Sequence, residues 1–360
     1  MFSVTVLSMG FFMIYLADNT TMNLSSVILS KTGFGEWGFY YVALYFLFLG
    51  IGSIFSMPII LFLGEKLTIV ISASTVCLWV ICYSLPAYKN DNPNSDQFFV
   101  QESFIKALIF LTTFLYGFLS GPLWVCQGLV LSKYATQSTK GFYNSFFFSF
   151  FMASQVFGNL IAALVLSASN VNRLFQILAG IALVGAILFL FLRRPTKIES
   201  QQEQQDEIQS TQDINEPQLN EGRSKRKCDC SKYLKETYEM IISKKLLYVI
   251  PMIIYSGISL AIGFGIFVQF LVQTMESSNT YSNKESDQLK YAMLGMMVYG
   301  IGQVSGGIIQ GLIIDKKGYK VSVIVCAVLL KYIPQEILSN KKEISDNDIK
   351  EKEIEFKISI

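Results

Sequence analysis

The chain of 360 residues contains no histidine. That removes histidine-bearing zinc sites, Ser-His-Asp and Cys-His catalysis, and His-based proton relays. Charge is scarce as well. Asp, Glu, Lys and Arg make up 16% of the residues, whereas a soluble domain usually carries about 25%. No phosphate-cradling glycine loop, paired catalytic carboxylates or metal-ligand spacing is visible, so neither enzymatic chemistry nor a bound cofactor is expected. The six cysteines form no framework. Cys77, Cys82, Cys126 and Cys326 lie in apolar segments, where cysteine behaves as a small hydrophobe. Cys228 and Cys230 lie in the basic run KRKCDC, open to palmitoylation or metal binding but without further ligands. That run is too short for nucleic acid and fits a juxtamembrane patch facing acidic lipid.

What the chain has in quantity is apolar length. Apolar residues make up 52%, with 29 Phe. A spanning helix needs about 20 apolar residues, and six such runs fit residues 3–28, 38–63, 67–87, 104–131, 142–168 and 172–192. The first run lacks the basic flank and small-residue cleavage site of a secretory signal, so it reads as a retained span. Residues 193–245 form a polar stretch without apolar period, expected to be a disordered linker. Spans resume at 246–274 and 290–314, and a ninth beginning after Tyr319 is interrupted by Lys331 and Pro334. The domains expected are a six-helix bundle (1–192), the linker (193–245), an incomplete second bundle (246–334) and a charged tail (335–360). Lysine and arginine collect in alternate loops at Lys66, Lys133, Lys140, the 193–245 stretch and Lys316, Lys317 and Lys320. The intervening loops hold only Lys31, Lys89, Lys106, Arg173, Lys284 and Lys290. The positive-inside rule then puts the N-terminus and linker in the cytosol.

A repeat organises these spans. Gly50-Ile51-Gly52 leads to Glu65-Lys66, and Gly300-Ile301-Gly302 leads at the same spacing to Asp315-Lys316. Duplicated halves of several spans are the mark of transporter architecture. The second copy reads GLIIDKKGYK, with Gly311, Asp315, Lys316 and Gly318 in place. In the first, LFLGEKLT, Leu61 and Thr68 stand where those glycines would be, and only Glu65 and Lys66 keep the acid–base pair. The intact copy resembles the signature loop of the major facilitator superfamily, in which such residues act as a cytosolic latch.

Within the spans, Gly121-Pro122-Leu123-Trp124-Val125-Cys126-Gln127-Gly128 and Ser154-Gln155-Val156-Phe157-Gly158-Asn159-Leu160 are similar to runs of the Unc-ninety-three-like branch of that superfamily. The resemblance implies an all-α membrane protein of two helical bundles, six helices in the first and about three in an incomplete second. A complete member would have six in each, so the chain reads as a truncated product. It also implies a solute or ion transporter, or a regulatory or chaperone subunit of another membrane protein such as a potassium channel or receptor, or an inactive shortened paralogue. The lipid bilayer is the one certain partner; the substrate stays open.

Amides at membrane depth either join helices or face a water-filled cavity. Gln155 and Asn159 share one helix face, and Gln127 lies in the preceding span. Asn19 and Asn23 in the first span match Gln269 and Gln273 in the seventh at the repeat offset, suggesting a lining about the pseudo-two-fold axis. Asp18 is the acid placed within a first-half span, either as a proton or cation site or in the outer headgroup zone. Together with Trp124, these residues are the candidate cavity lining. Asn19 and Asn23 also form glycosylation sequons, for which burial is the preferred reading.

Overall fold

The computed structural model describes residues 2–92, 97–135, 139–193, 230–277, 285–318 and 320–328. Among these every regular element is helical. The elements are α1 (Phe2–Leu29), α2 (Trp37–Ile54), α3 (Ser56–Leu63), α4 (Glu65–Cys82), α5 (Ser84–Asp91), α6 (Glu102–Tyr134), α7 (Lys140–Ala168) and α8 (Val171–Leu188). They continue as α9 (Cys230–Ile242), α10 (Lys244–Leu247), α11 (Ile250–Ala261), α12 (Phe267–Ser277) and α13 (Glu285–Lys317), followed by a helix over 320–328. Eight stretches among the described residues are long and apolar enough to cross a membrane. They coincide with the eight runs expected from hydropathy. Lys331, Pro334, the tail 335–360 and residues 194–229 of the expected linker lie outside the described residues. Residues Cys230–Ile242, within the stretch read as linker, are helical.

Two spans break where the sequence suggests continuity. Helix α2 ends at Ile54 and α3 begins at Ser56, with Phe55 at φ −89°, ψ 4° between them. Helix α4 ends at Cys82, and α5 begins at Ser84. Each break stands three residues before a proline, Pro58 or Pro86. A proline ring has no N–H to donate and crowds the carbonyl four residues back, which here belongs to Ile54 or Cys82. Beside the first break Ser56 Oγ donates to the Gly52 carbonyl at 3.0 Å.

The chain divides into two compact units, Met1–Ile301 and Gly302–Ile360, the boundary falling inside α13. In the larger unit α1 packs against α7 and α8, α6 against α2 and α4, and α4 against α8. The reason α1 takes the centre is its polar run. Asp18, Asn19, Thr20, Thr21, Asn23, Ser25 and Ser26 are all buried. Thr20 and Ser25 bond carbonyls of their own helix, but in hydrocarbon Asp18, Asn19 and Asn23 would lack partners, so this helix must be surrounded by others. Small residues allow the close crossings: a Cβ at Gly52 would stand 1.9 Å from the Phe118 carbonyl oxygen, and one at Gly158 2.6 Å from that of Leu16. Helix α11, by contrast, has no buried residue. A π-helical segment, Ile262–Ile266, then turns the chain inward at the buried Gly263 and Gly265.

The described part of the smaller unit comprises the end of α13 and the helix over 320–328. Gly318 at φ +80° ends α13, a conformation only glycine adopts without strain. Ser322 Oγ then donates to Gln310 Oε1, and Gln310 Nε2 donates to Cys326 Sγ at 2.6 Å.

Candidate functional site

The polar run of α1 faces α7. Asn19 Nδ2 donates to Ser154 Oγ at 3.2 Å, and Asn23 Nδ2 donates to Asn159 Oδ1 at 3.0 Å. Asn159 Nδ2 in turn donates to the Gln155 carbonyl at 2.7 Å. Residues 19 and 23 are one turn apart and their partners 154 and 159 five residues apart, so two polar rungs lie along one crossing. Between the rungs Gly158 removes the side chain that would hold the helices apart. Asn19 is 6% exposed and Asn23 fully buried, which closes both sequons to glycosylation in this structure.

One residue before this clamp stands Asp18, 3% exposed. The phenols of Tyr15, of Tyr45 on α2 and of Tyr116 on α6 lie close to its carboxylate. Tyr45 of α2 donates its hydroxyl to that of Tyr116 at 3.3 Å, with ring centroids 4.8 Å apart. The groups around the acid are thus phenols, which offer polarity but no neutralising charge. Asp18 Oδ1 is fully enclosed without a hydrogen-bond partner. An aromatic wall closes one side: Trp124 lies 5.5 Å from Phe11, 5.3 Å from Tyr15 and 5.1 Å from Phe151.

The other amides are distributed differently. Gln127 is 6% exposed and Gln155 3%. Gln155 faces α13, where its Cγ would be 3.1 Å from a Cβ at Gly300, and its Nε2 is enclosed without a partner. Gln269 is half-buried with its Oε1 unpartnered, and Gln273 is exposed. The repeat pairs Asn19 and Asn23 with Gln269 and Gln273, but the hydrogen-bond partners of the two asparagines are Ser154 and Asn159. Helix α1 does approach the seventh span, through Ser26 Oγ, which donates to the Gly265 carbonyl at 3.0 Å. Near the end of the first span Lys31 Nζ donates to Gln288 Oε1 of α13 at 3.2 Å.

The sequence gives no sign of the tyrosine cage, since Tyr15, Tyr45 and Tyr116 stand in three separate spans. Ser154 carries a signal in retrospect, adjoining Gln155 in a run already rich in polar atoms.

At the opposite end of α4, Glu65 pairs with Lys133 at the end of α6. A neighbour in the same bundle thus holds Glu65. Gly64, at φ +79°, makes the turn just before it, and both the backbone N–H of Thr68 and its Oγ1 donate to the Gly64 carbonyl, at 3.0 and 2.8 Å. The loop therefore retains a turn glycine, displaced to the other side of the acid–base pair relative to Gly318. Gly311 and Asp315 lie within α13, Lys316 is exposed in its last turn, and the side-chain surroundings of Asp315 lie outside the described residues.

Eight spans, a repeat of glycine-notched helices and a polar seam in the centre of the first bundle define a multi-pass membrane protein of transporter architecture. Residues 2–330 match the profile of the Major Facilitator Superfamily, and the chain belongs to it. It is similar to the UNC93-like protein MFSD11 of Xenopus tropicalis, 22% identical over 322 residues, covering 86% of this chain and 65% of the relative. It is also similar to UNC93-like protein 3 of Arabidopsis thaliana, 25% identical over 207 residues, covering 53% of this chain and 40% of the relative. The chain thus spans less than two thirds of the length of these relatives. Among solved structures, a D-xylose-proton symporter shares the fold with a TM-score of 0.54 at 12% identity, covering 88% of this chain and 69% of that one. The xylose transporter XylE from E. coli, in a partially occluded inward-open conformation, does so with a TM-score of 0.52, also at 12% identity, covering 88% and 74%.

Proposed function

We propose that the protein moves a small solute or ion across a membrane by alternating access, with Asp18 as a proton- or cation-binding carboxylate. The N-terminus and the 193–245 stretch would be cytosolic, as the lysine and arginine distribution favours. The observation that carries the reading is the enclosed, partly unpartnered Asp18 carboxylate within the first span, ringed by phenols rather than by bases. Acids at such depth mark ion or proton paths in membrane proteins, because their cost is otherwise hard to sustain. Gln155 adds support. It sits where the first bundle meets α13, and an unsatisfied amide there is placed to meet water or solute when the halves rock apart.

Two measurements test this. In a cysteine-free background, Gln155→Cys and Gln127→Cys should react with membrane-impermeant thiol reagents; complete protection of both from either side of the membrane overturns the cavity. A hydrophobic carbodiimide, which modifies protonated carboxyls, should label Asp18 in the folded protein in a pH-dependent way, and Asp18→Asn should abolish that label. PH-independent labelling, or none, removes Asp18 from the mechanism.

A non-transporting regulatory role for another membrane protein is the second reading, supported by α11. Met252, Ile253, Ile254 and Tyr255 are 66%, 52%, 56% and 55% exposed, so apolar side chains all round this helix are open to lipid or to a partner's helix. It predicts stable co-purification with a channel or receptor in mild detergent and no solute flux.

A further inference from the structure

A cavity of about 340 Å³ opens where three spans end, lined by Gly64, Glu65 and Lys66 at the start of α4, by Val130, Lys133 and Tyr134 at the end of α6, and by Leu192 and Arg193 after α8. Its charge is lopsided. Glu65 is engaged with Lys133, and among the described residues no carboxylate pairs with Lys66 or Arg193. Arg193 is held in place on two sides. Its carbonyl accepts from the Tyr134 hydroxyl at 2.7 Å, and its guanidinium lies 5.0 Å from the centroid of the Phe2 ring. The volume falls within the range of small-ligand sites.

The surroundings say what kind of anion fits. Chain neighbours of the cavity residues point outward and are apolar: Phe62 is 86% exposed, Leu67 48% and Phe191 60%. A basic pocket at the end of membrane spans with exposed hydrocarbon beside it matches a ligand that is phosphate at one end and acyl chain at the other. We propose that this cavity binds the phosphate-bearing headgroup of an anionic phospholipid, with Lys66 and Arg193 on the phosphate and the acyl chains running along Phe62, Leu67 and Phe191. A free phosphate shares the headgroup chemistry but makes no use of the apolar flank, which is what separates the two sources experimentally. The site is independent of Asp18 and of whether the protein transports.

The test uses the full chain purified in neutral detergent and thermal unfolding as the readout. Three probes are compared: dioctanoyl phosphatidylinositol 4-phosphate, dioctanoyl phosphatidylcholine and inorganic phosphate. The phosphoinositide should raise the melting temperature saturably, and the other two should not. Lys66→Gln with Arg193→Gln should weaken that binding about twenty-fivefold, at about fivefold per basic residue near a membrane surface, while Lys235→Gln, on the exposed α9, leaves it unchanged. Should the double variant fold poorly, Glu65→Gln serves instead: it frees Lys133 and should tighten phosphoinositide binding. Equal stabilisation by phosphatidylcholine, equal stabilisation by inorganic phosphate, or unaltered affinity in both variants overturns the proposal.

Discussion

Asn159 serves two partners at once, accepting from Asn23 across the α1–α7 crossing and donating to the Gln155 carbonyl along its own helix. Asn159→Ala strands the Asn23 amide inside the bundle, and a buried donor without a partner costs about 1–3 kcal/mol. Interhelical hydrogen bonds in membranes average near the low end, about 0.6 kcal/mol, so we expect a loss of about 1–2 kcal/mol in detergent unfolding. A loss within measurement error would mean that packing alone holds the crossing. At this scale the sequence was half legible. Polar residues at membrane depth stand out in any span, and Asn19, Asn23, Gln155 and Asn159 could be read off directly. Their partners could not. Repeat symmetry relates Asn19 and Asn23 to Gln269 and Gln273, but symmetry-related residues need not touch. The polar atoms nearest Asn19 and Asn23 belong to α7, because α1 and α7 pack side by side in one bundle.

Helix ends and breaks follow a different rule from helix existence. Hydropathy locates a span because twenty residues contribute to it, whereas the interruptions at Phe55 and Tyr83 come from the missing donors of Pro58 and Pro86, which an averaged window does not register. The π-helical segment Ile262–Ile266 was invisible for the same reason. Its extra residue shifts the carbonyls out of the regular ladder, and the Gly265 carbonyl takes the Ser26 hydroxyl across the helix boundary. Ser26→Ala should therefore loosen this segment selectively. Amide exchange over 262–266 should quicken about fivefold, the equivalent of about 1 kcal/mol for one hydrogen bond, with α4 and α6 unaffected. Uniform acceleration through the bundle would show instead that Ser26 contributes only to global stability.

For the molecule as a whole, the fold was the most legible part. Eight apolar runs and a duplicated loop suffice to define a superfamily architecture, since a bilayer admits few ways to satisfy a helical backbone. Sidedness is the property that follows next. Asn92, after α5, and Ser132, near the end of α6, are exposed and lie at opposite ends of the bundle. In a cysteine-free chain expressed in intact cells, Asn92→Cys should label from outside with an impermeant reagent. Ser132→Cys should label only after permeabilisation. The reverse pattern would invert the proposed topology, and with it the leaflet that faces the Lys66–Arg193 cavity.

The three tryptophans stand in three unlike settings. Trp37 is 38% exposed with Lys106 Nζ 5.0 Å from its ring centroid, and Trp79 is 1% exposed, donating to Thr113 Oγ1 at 3.1 Å. Trp124 stacks into the aromatic wall next to Tyr15, beside Asp18. The protein thus carries its own optical probe of the central seam. With Trp37 and Trp79 replaced by Phe, the remaining ultraviolet emission reports on one place, where α1, α6 and α7 meet, and any sliding of those helices is readable as a change of colour or brightness without an added dye.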